Sequence, residues 1–456
     1  MAIEARAVKP DIGEVIDNLP FSRKYYIALA ATMLAFMFDA FDTQIMALAL
    51  PSVLEEWNLT TLVGGLIGSA ALWGMAVGAL TFGFLSDIYG RRIVMMITVL
   101  GIGVFTGLSA LSTSFEMLIA FRFISGLFMG AMIPIDLAYI AEIAPKRRRG
   151  LLMAALGLTW PIGTILAALC AGALIPTAGW RWLFVVGVIP AFIALYIRRQ
   201  VPESPRWLAK KGRHAEAVVA AQRLGAEITS VDDIDTSSDS DTGEKRNALK
   251  SFKLLFKPLY MRRTVGASLA FFLFQALTYG WSVWVPSILV MVLGYPLQSA
   301  IGAVILIYAV SIGGRLFFTL TADKLPRRLA FILAYALMAI AALTMSSLLG
   351  LGPEFGWIFL LVMMVYQFAL DTNPLQVWVS ELFPTEVRGL ASSFASTVGR
   401  IGAATAPIIF GALMGAGLTN WVFYVIAAMC ILSILVAVFV MKTETSGRSL
   451  ADVGSV

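Results

Sequence analysis

Four ionisable side chains lie inside long apolar stretches of this sequence: Asp39, Asp42, Arg122 and Arg400. An ionisable group within a membrane-spanning segment costs about 2.5–3.5 kcal/mol on insertion scales, so such groups are functional candidates by default. With a rise of about 1.5 Å per helical residue, and with the orientation given below, all four fall at outer-to-middle depth. Their chemistry would be the binding of protons and of anions.

Asp39 and Asp42 are the candidates for carrying a proton. They are three residues apart and therefore share one face of a helix. Two carboxylates on one face repel each other, and burial favours the neutral form, so one of them can hold a proton near neutral pH. Arg122 stays charged and offers two donors to a carboxylate, so we expect a counter-charge that responds to their protonation. In the structural alternative, Asp42 simply pairs with Arg122.

Arg400 is the better candidate for binding a substrate carboxylate, because it comes from the opposite half of the chain. An apolar pocket with few polar anchors suits a benzoate-like anion, and aromatic side chains could clamp its ring. Each aromatic residue, taken singly, is more often packing or interface belt than ligand contact. The aromatic candidates are Phe38, Phe41, Tyr279, Trp281, Trp284 and Trp378, and Gln275 is a hydrogen-bonding candidate.

The elements that must position these groups are transmembrane helices. The sequence is 59% apolar and 14% charged, with a mean hydropathy of +0.84, whereas soluble domains are about 25% charged. At about 20 residues per crossing, the 456 residues accommodate twelve spans and short loops. The predicted spans are about 25–51, 62–86, 93–112, 116–142, 150–175, 180–197, 262–293, 298–322, 329–350, 355–381, 389–415 and 420–441.

Two motifs occur twice at nearly the same spacing. The stretch 83–92 returns in degraded form at 319–328, and Glu142-Ile-Ala-Pro with a following Arg-Gly returns at Glu381. Each copy lies at the end of an apolar run. The repeats predict an all-α membrane protein whose twelve helices form two pseudo-symmetric six-helix halves.

Loop charge predicts the orientation. All but four of the 34 Lys and Arg residues lie in the termini or in loops after even-numbered spans, and such residues are retained on the cytoplasmic side. We therefore expect cytoplasmic termini at 1–24 and 442–456, and six-helix bundles at 25–197 and 262–441. The cytoplasmic linker 198–261 is predicted to contain an amphipathic basic helix from Arg206 to Leu224. The Ser-rich and Asp-rich stretch from Ser230 to Glu244 cannot form a core and is predicted to be flexible.

The pattern Gly-x-x-x-Asp-x-x-Gly-Arg-Arg at 83–92 resembles the signature of the major facilitator superfamily. The stretches 122–130, 202–208 and 444–450 resemble its sugar-porter-like branch. Within that branch, Asp39-Ala-Phe-Asp-Thr-Gln resembles the Asp-Gly-Tyr-Asp motif of the aromatic acid:proton symporters, with Ala40 in place of the glycine. The resemblance covers the whole chain and implies two six-helix halves that work by alternating access.

The resemblance also implies the mode of action. It indicates a secondary active transporter that imports an organic, aromatic carboxylate with protons and needs no cofactor beyond the proton gradient. We expect a monomer in the bacterial inner membrane whose partners are the lipid bilayer, the organic anion and protons, but not nucleic acid. Related carriers of niacin and other organic anions share much of the pattern.

Charged groups at the predicted cytoplasmic mouth form, by the same resemblance, ion pairs between the halves that hold one access state closed. These groups are Asp87, Arg91, Arg92, Glu142, Arg149, Asp323, Arg327, Arg328, Glu381 and Arg388. Asp136, Arg315 and Asp371 lie toward the cytoplasmic third of their spans. They belong to the gate, to the exit path or to a structural pair.

Other functions remain in competition. The 202–208 stretch suggests a sugar or polyol porter, although Gln275 is alone where sugar porters usually carry several glutamines in span 7. A proton-driven efflux antiporter differs only in direction, which residues do not encode, and a sensor would not need a titrating pair. The single histidine, His214, lies in a loop, and the sequence has no phosphate-binding loop and no metal-type cluster. These features argue against an enzyme, so we do not expect enzyme activity.

Overall fold

The computed structural model describes residues 9–20, 22–236, 253–321, 324–351, 355–383, 387–441 and 444. Over these residues the secondary structure consists of α-helices with short 3-10 and π segments and contains no strand. Asp323, most of the 444–450 stretch and the 237–244 part of the predicted flexible segment lie outside the described residues.

Twelve spans are present in the described residues. Eleven of them contain a helix that is long and apolar enough to cross a membrane. The α-helices of spans 1–5 are Arg23–Glu56, Thr61–Tyr89, Arg91–Ser109, Phe115–Ile143 and Arg149–Ala178, and span 6 consists of Arg181–Val186 and Ile189–Gln200. In the second half, spans 7–9 are Pro258–Ser287, Leu297–Thr321 and Arg327–Leu348, and span 10 consists of Gly356–Asp371 and Leu375–Glu381. Spans 11 and 12 are Arg388–Gly415 and Thr419–Leu435.

Spans 6 and 10 are broken, whereas the sequence predicts continuous helices. The second helix of span 6 has Pro190 in its first turn, and that of span 10 starts directly after Pro374. Proline has no N–H for the helical ladder and is favoured at the start of a new helix. In span 10 the side chain of Asn373 accepts a hydrogen bond from the backbone N–H of Leu375 at 3.0 Å.

Glycines bring spans 2 and 4 into backbone contact. A Cβ atom on Gly78 would lie 1.9 Å from the carbonyl oxygen of Leu127, and one on Gly126 would lie 2.1 Å from that of Ala71. Small residues at such positions let membrane helices approach closely, where van der Waals packing drives association. The glycine spacing at 122–130 therefore serves packing within the first half.

We call the membrane face that carries the described chain ends the terminal side, and the opposite face the far side. On the far side, spans 2 and 11 join the two halves: the Thr61 hydroxyl donates to the carbonyl of Gly411 at 2.8 Å. A Cβ atom on Gly65 would lie 2.6 Å from the carbonyl oxygen of Pro407. On the terminal side, a Cβ atom on Gly150 or Gly389 would meet no atom within 4 Å. The halves are thus closely packed on the far side.

A layer of short helices covers the terminal side of the first half. It consists of Ile12–Asp17, Pro205–Lys210 and His214–Leu224. Asp17 accepts from Arg149 at 3.0 Å and from Arg206 at 2.7 Å.

Two predictions for the linker differ from the structure. The single helix predicted for 206–224 is two helices, because Gly212 has a φ of +72°, a conformation that glycine adopts without strain. Residues 231–233 form a 3-10 turn with a capping box at Ser230, so the described start of the predicted flexible segment has local structure.

We predict that Gly65→Ala destabilises the conformation with a closed far side, because the new methyl group would overlap the backbone of Pro407. Thiol labelling would measure this in a Cys170→Ser, Cys430→Ser background with Thr43→Cys at the centre of span 1. A membrane-impermeant reagent applied from the far side should label Thr43→Cys faster when Gly65→Ala is present. Gly302→Ala is the matched control, since a Cβ atom there meets nothing within 4 Å; equal labelling in both variants would contradict the packing argument.

Candidate functional site

A cavity of about 270 Å³ lies between the two halves. Spans 1, 4 and 5 contribute its wall from the first half, and spans 7, 8 and 10 contribute the wall from the second half. Two of its described lining residues are charged, Arg315 and Asp371. The position between the halves is where transporters built from repeats bind their substrates.

Arg315 bridges the halves on the terminal side of the cavity. Its Nε donates to Oδ1 of Asp371 at 2.9 Å, and its Nη1 donates to the carbonyl oxygen of Gly157 on span 5, also at 2.9 Å. Gln367 donates to the other carboxylate oxygen of Asp371 at 2.6 Å, and Trp281 donates to Gln367 at 3.2 Å. About 33% of the Arg315 side chain is exposed, against 7% for Asp371. The guanidinium is therefore held in place but remains accessible from the cavity.

Gln44 joins the halves on the far side of the same cavity. Its side-chain oxygen accepts from Ser282 at 3.1 Å and from Tyr308 at 3.3 Å. The side-chain nitrogen of Gln44 is buried and has no acceptor within the described part of the chain. This amide offers a donor to a bound molecule.

Aromatic side chains from both halves face this space. Phe36 and Trp160 of the first half pack with ring centroids 5.7 Å apart, and Trp281 of span 7 packs on Tyr366 at 4.6 Å. Phe36, Trp160, Tyr279 and Trp281 line the cavity. A flat apolar ligand with one anionic group would find aromatic surfaces and a guanidinium together.

Asp42 and Arg122 form a buried ion pair away from the cavity lining. Nη1 of Arg122 lies 3.0 and 2.9 Å from the two carboxylate oxygens, and Nη2 donates to the backbone carbonyl of Asp42 at 3.1 Å. The Thr106 hydroxyl also donates to Asp42, and the Phe184 ring lies 5.8 Å from the guanidinium carbon. This geometry matches the structural alternative, in which Asp42 is neutralised by Arg122.

Asp39 faces a different environment. Both of its oxygens, and both oxygens of Asp136 on span 4, are buried and lack a hydrogen-bond partner among the residues described. Asp39 interacts electrostatically with Asp42 and with Arg400, and Asp136 interacts with Asp39.

The structure brings some of the predicted binding residues to the cavity. Tyr279, Trp281 and Gln275 line it. Arg400 is not among the lining residues; its Nη1 donates to the carbonyl of Met75 on span 2 at 3.2 Å, which places it between the halves.

The other predicted aromatic contacts lie in helix packing. Phe41 packs on Phe38 with ring centroids 5.6 Å apart. Trp284 donates to the carbonyl of Pro407 at 2.8 Å, and Trp378 packs on Phe331 at 5.4 Å. All these rings are buried, so a substrate in the cavity does not reach them in this conformation.

Among the described lining residues Arg315 is the cation of the cavity, although the sequence left its role open. The spacing of Tyr308, Ser311 and Arg315 places them on one helix face, and all three line the cavity. That polar face of span 8 is the signal that could have identified it.

Among the described residues, three ion pairs of the predicted gate residues join helices of the same half. Arg91 contacts Asp87 at 2.5 Å and Glu142 at 3.2 Å, and Arg327 contacts Glu381 at 3.4 Å. Asp87 is one helical turn before Arg91, and Glu142 reaches Arg91 from the terminal-side end of span 4.

Carboxylates cap the first turns of spans 3 and 9. Glu203 accepts from the backbone N–H groups of Arg91 and Arg92, and Glu444 accepts from those of Arg327 and Arg328. A carboxylate at a helix N-terminus is favoured by the helix dipole. Burial nevertheless raises the pKa of the Glu203 carboxyl above its ordinary value. Arg388, another predicted gate residue, donates to the carbonyl of Phe383 at 3.3 Å.

Comparison with known proteins identifies the family. The family described as "Sugar (and other) transporter" matches residues 22–456. The chain belongs to this family of the major facilitator superfamily. It is therefore a multi-pass membrane transporter and not an enzyme.

Individual relatives place the transporter near carriers of organic acids. It is 29% identical to the "Niacin transporter NiaP" of Acinetobacter baylyi, over 97% of this chain and 100% of that protein. It is 28% identical to the "4-hydroxybenzoate transporter PcaK" of the same organism, over 94% of each chain. The solved structure of the xylose transporter XylE from E. coli in its inward open conformation matches with a TM-score of 0.75 and 20% identity, over 94% of this chain and 99% of that one. That structural likeness shows the fold.

For this transporter we predict that Arg122→Gln strongly destabilises the protein, because Asp42 would be left buried without its counter-charge. Removing one partner of a buried pair costs about 3–5 kcal/mol. The melting temperature of the purified protein in detergent should fall clearly in Arg122→Gln. It should recover in part in the double variant Asp42→Asn, Arg122→Gln, which removes both charges. A double variant at least as unstable as the single one would show that the pair is not a structural neutralisation.

Proposed function

We propose that this chain imports an organic, aromatic carboxylate together with protons by alternating access of the cavity. The terminal side is cytoplasmic in this proposal, the membrane is the bacterial inner membrane, and the proton gradient drives transport without a cofactor. The observation that carries the proposal is the accessible Arg315 guanidinium within a cavity lined by aromatic rings.

Arg315 suits a carboxylate substrate because its guanidinium offers donors in a planar fork. Its Nε donates to Asp371, and its Nη1 donates to the carbonyl oxygen of Gly157 on the opposite half. A substrate carboxylate is a stronger acceptor than a carbonyl oxygen. We infer that the substrate replaces the Gly157 carbonyl and thereby loosens the contact between the halves on the terminal side.

The names of the relatives support the same substrate class. One is a niacin transporter and another a 4-hydroxybenzoate transporter, and both substrates are flat rings with one carboxylate. The carboxyl groups of Asp39 and Asp42 support proton coupling, with Asp39 the stronger candidate because Arg122 already neutralises Asp42.

A sugar or polyol is the second candidate, and the cavity contains an observation in its favour. Four glutamines line the cavity: Gln44, Gln275, Gln367 and Gln376. Span 7 supplies only one of these four, Gln275. Amides that both donate and accept suit hydroxyl groups. A neutral polyhydroxy substrate, however, offers no negative charge to the Arg315 guanidinium.

Uptake into proteoliposomes distinguishes these candidates. The panel contains 4-hydroxybenzoate, protocatechuate, nicotinate, an aliphatic carboxylate, glucose and arabinose, under an imposed inward proton gradient. The proposal expects accumulation of an aromatic carboxylate that collapses when a protonophore is added. Accumulation of a sugar alone would support the second candidate, and uptake of a carboxylate that ignores the protonophore would refute the coupling.

We predict that Arg315→Gln impairs carboxylate uptake. Loss of one partner of a desolvated charge pair costs about 2 kcal/mol or more, which is about 30-fold or more in affinity. The measurement is kcat/KM for the transported acid, with Arg223→Gln, an exposed arginine on the terminal-side layer, as the matched control. Unchanged kcat/KM in Arg315→Gln would remove this residue from the site.

A further inference from the structure

Two buried carboxyl groups in the first half remain without a role in substrate binding. Asp39 on span 1 is 1% exposed and Asp136 on span 4 is 0% exposed. Within the described ranges, none of their four oxygens has a hydrogen-bond partner. Most buried polar groups in proteins are hydrogen-bonded, so an orphaned pair of carboxyls needs an explanation.

Both groups have a direct chain neighbour in the cavity wall. Ala40, next to Asp39, and Leu137, next to Asp136, line the cavity. Tyr279 lines it as well and interacts electrostatically with Asp39 and Arg400. The two carboxyls therefore belong to helices that line the cavity, spans 1 and 4.

The charged and titratable groups around the pair come from several helices. On span 1, Asp42 is one turn away and is held by Arg122. Arg400 from span 11 interacts with Asp39, and Tyr279 approaches it from span 7. Arg400 therefore partly compensates Asp39.

Ionisation of both carboxyls would be unfavourable in this setting. Two neighbouring carboxylates disfavour simultaneous ionisation, and an isolated carboxylate in an apolar interior takes up a proton rather than remain charged. One proton on the pair leaves one negative charge to face Arg400.

We propose that Asp39 and Asp136 form one proton-binding carboxyl pair, loaded with a proton in the conformation whose far side is closed. This rests on the proposed proton-coupled transport and adds Asp136 to it. A proton from far-side water forms an O–H bond on one carboxylate while the far side is open. After closure it leaves to water on the terminal side, and no electron is transferred in either step.

Infrared spectroscopy of the purified protein tests the site without any substrate. The C=O stretching band of a protonated carboxyl should be present at neutral pH in the wild type and should be lost or shifted in both Asp39→Asn and Asp136→Asn. Asp232→Asn, which removes an exposed carboxyl, should leave the band unchanged. Absence of the band in the wild type, or its persistence unchanged in both variants, would overturn the proposal.

Transport then tests the role of Asp136. Asp136→Asn should retain substrate counterflow, which needs no net proton movement, and should lose gradient-driven accumulation by at least tenfold. Asp136→Glu, which keeps the carboxyl, should restore part of it and guards against a folding defect. Full accumulation in Asp136→Asn would overturn the proposal, and so would accumulation that requires sodium, since the pair would then bind a metal cation.

The two tests separate this inference from the proposed function. If no organic acid is transported but the carboxyl band behaves as described, the proton site stands and the substrate proposal fails. If carboxylate uptake is proton-driven but Asp136→Asn leaves both band and accumulation intact, the proposed function stands and the carboxyl pair fails.

Discussion

The burial of charge in a membrane interior is the constraint on which this structure depends. Water is absent there, so each charged group must be neutralised by a partner, by a proton or by a ligand. The chain shows three outcomes. Arg122 fully neutralises Asp42, Asp371 only partly encloses Arg315, and Asp39 and Asp136 have no hydrogen-bond partner in the described part of the chain. A group whose charge is less completely paired within the protein is more available to bind a proton or a ligand.

The contacts between the halves differ in kind on the two sides of the cavity. On the far side, glycines allow backbone-to-backbone packing between spans 2 and 11, and Gln44 binds Ser282 and Tyr308. On the terminal side, Arg315 reaches the Gly157 carbonyl through a single hydrogen bond. A ligand that competes with the Gly157 carbonyl for Arg315 would break this hydrogen bond between the halves. In the proposed function, substrate binding and access are linked through this guanidinium, because a ligand shifts a conformational equilibrium only by such differential contacts.

Much of the fold follows from the sequence because membrane burial leaves few choices. Apolar length predicts the spans, and the motif pairs at 83–92 and 319–328 predict two related halves. The breaks in spans 6 and 10 were not predicted, although Pro190 and Pro374 mark them, because prolines inside membrane helices are often tolerated. The site was harder. The sequence identifies charged positions inside the spans but not which side chains face them. Asp42 and Arg122 were therefore candidates for proton coupling on the same footing as Asp39. Sequence also does not tell that Arg91 pairs with Glu142, because that contact depends on how spans 3 and 4 pack.

In the proposed function, the cavity recognises the charge of a carboxylate through Arg315. Binding of nicotinate and of nicotinamide to the purified protein tests this recognition, since the two rings have the same shape and differ in that charge. Nicotinate should bind, and nicotinamide should bind at least tenfold more weakly, with the difference abolished in Arg315→Gln. Equal affinity of both compounds for the wild-type protein would contradict it.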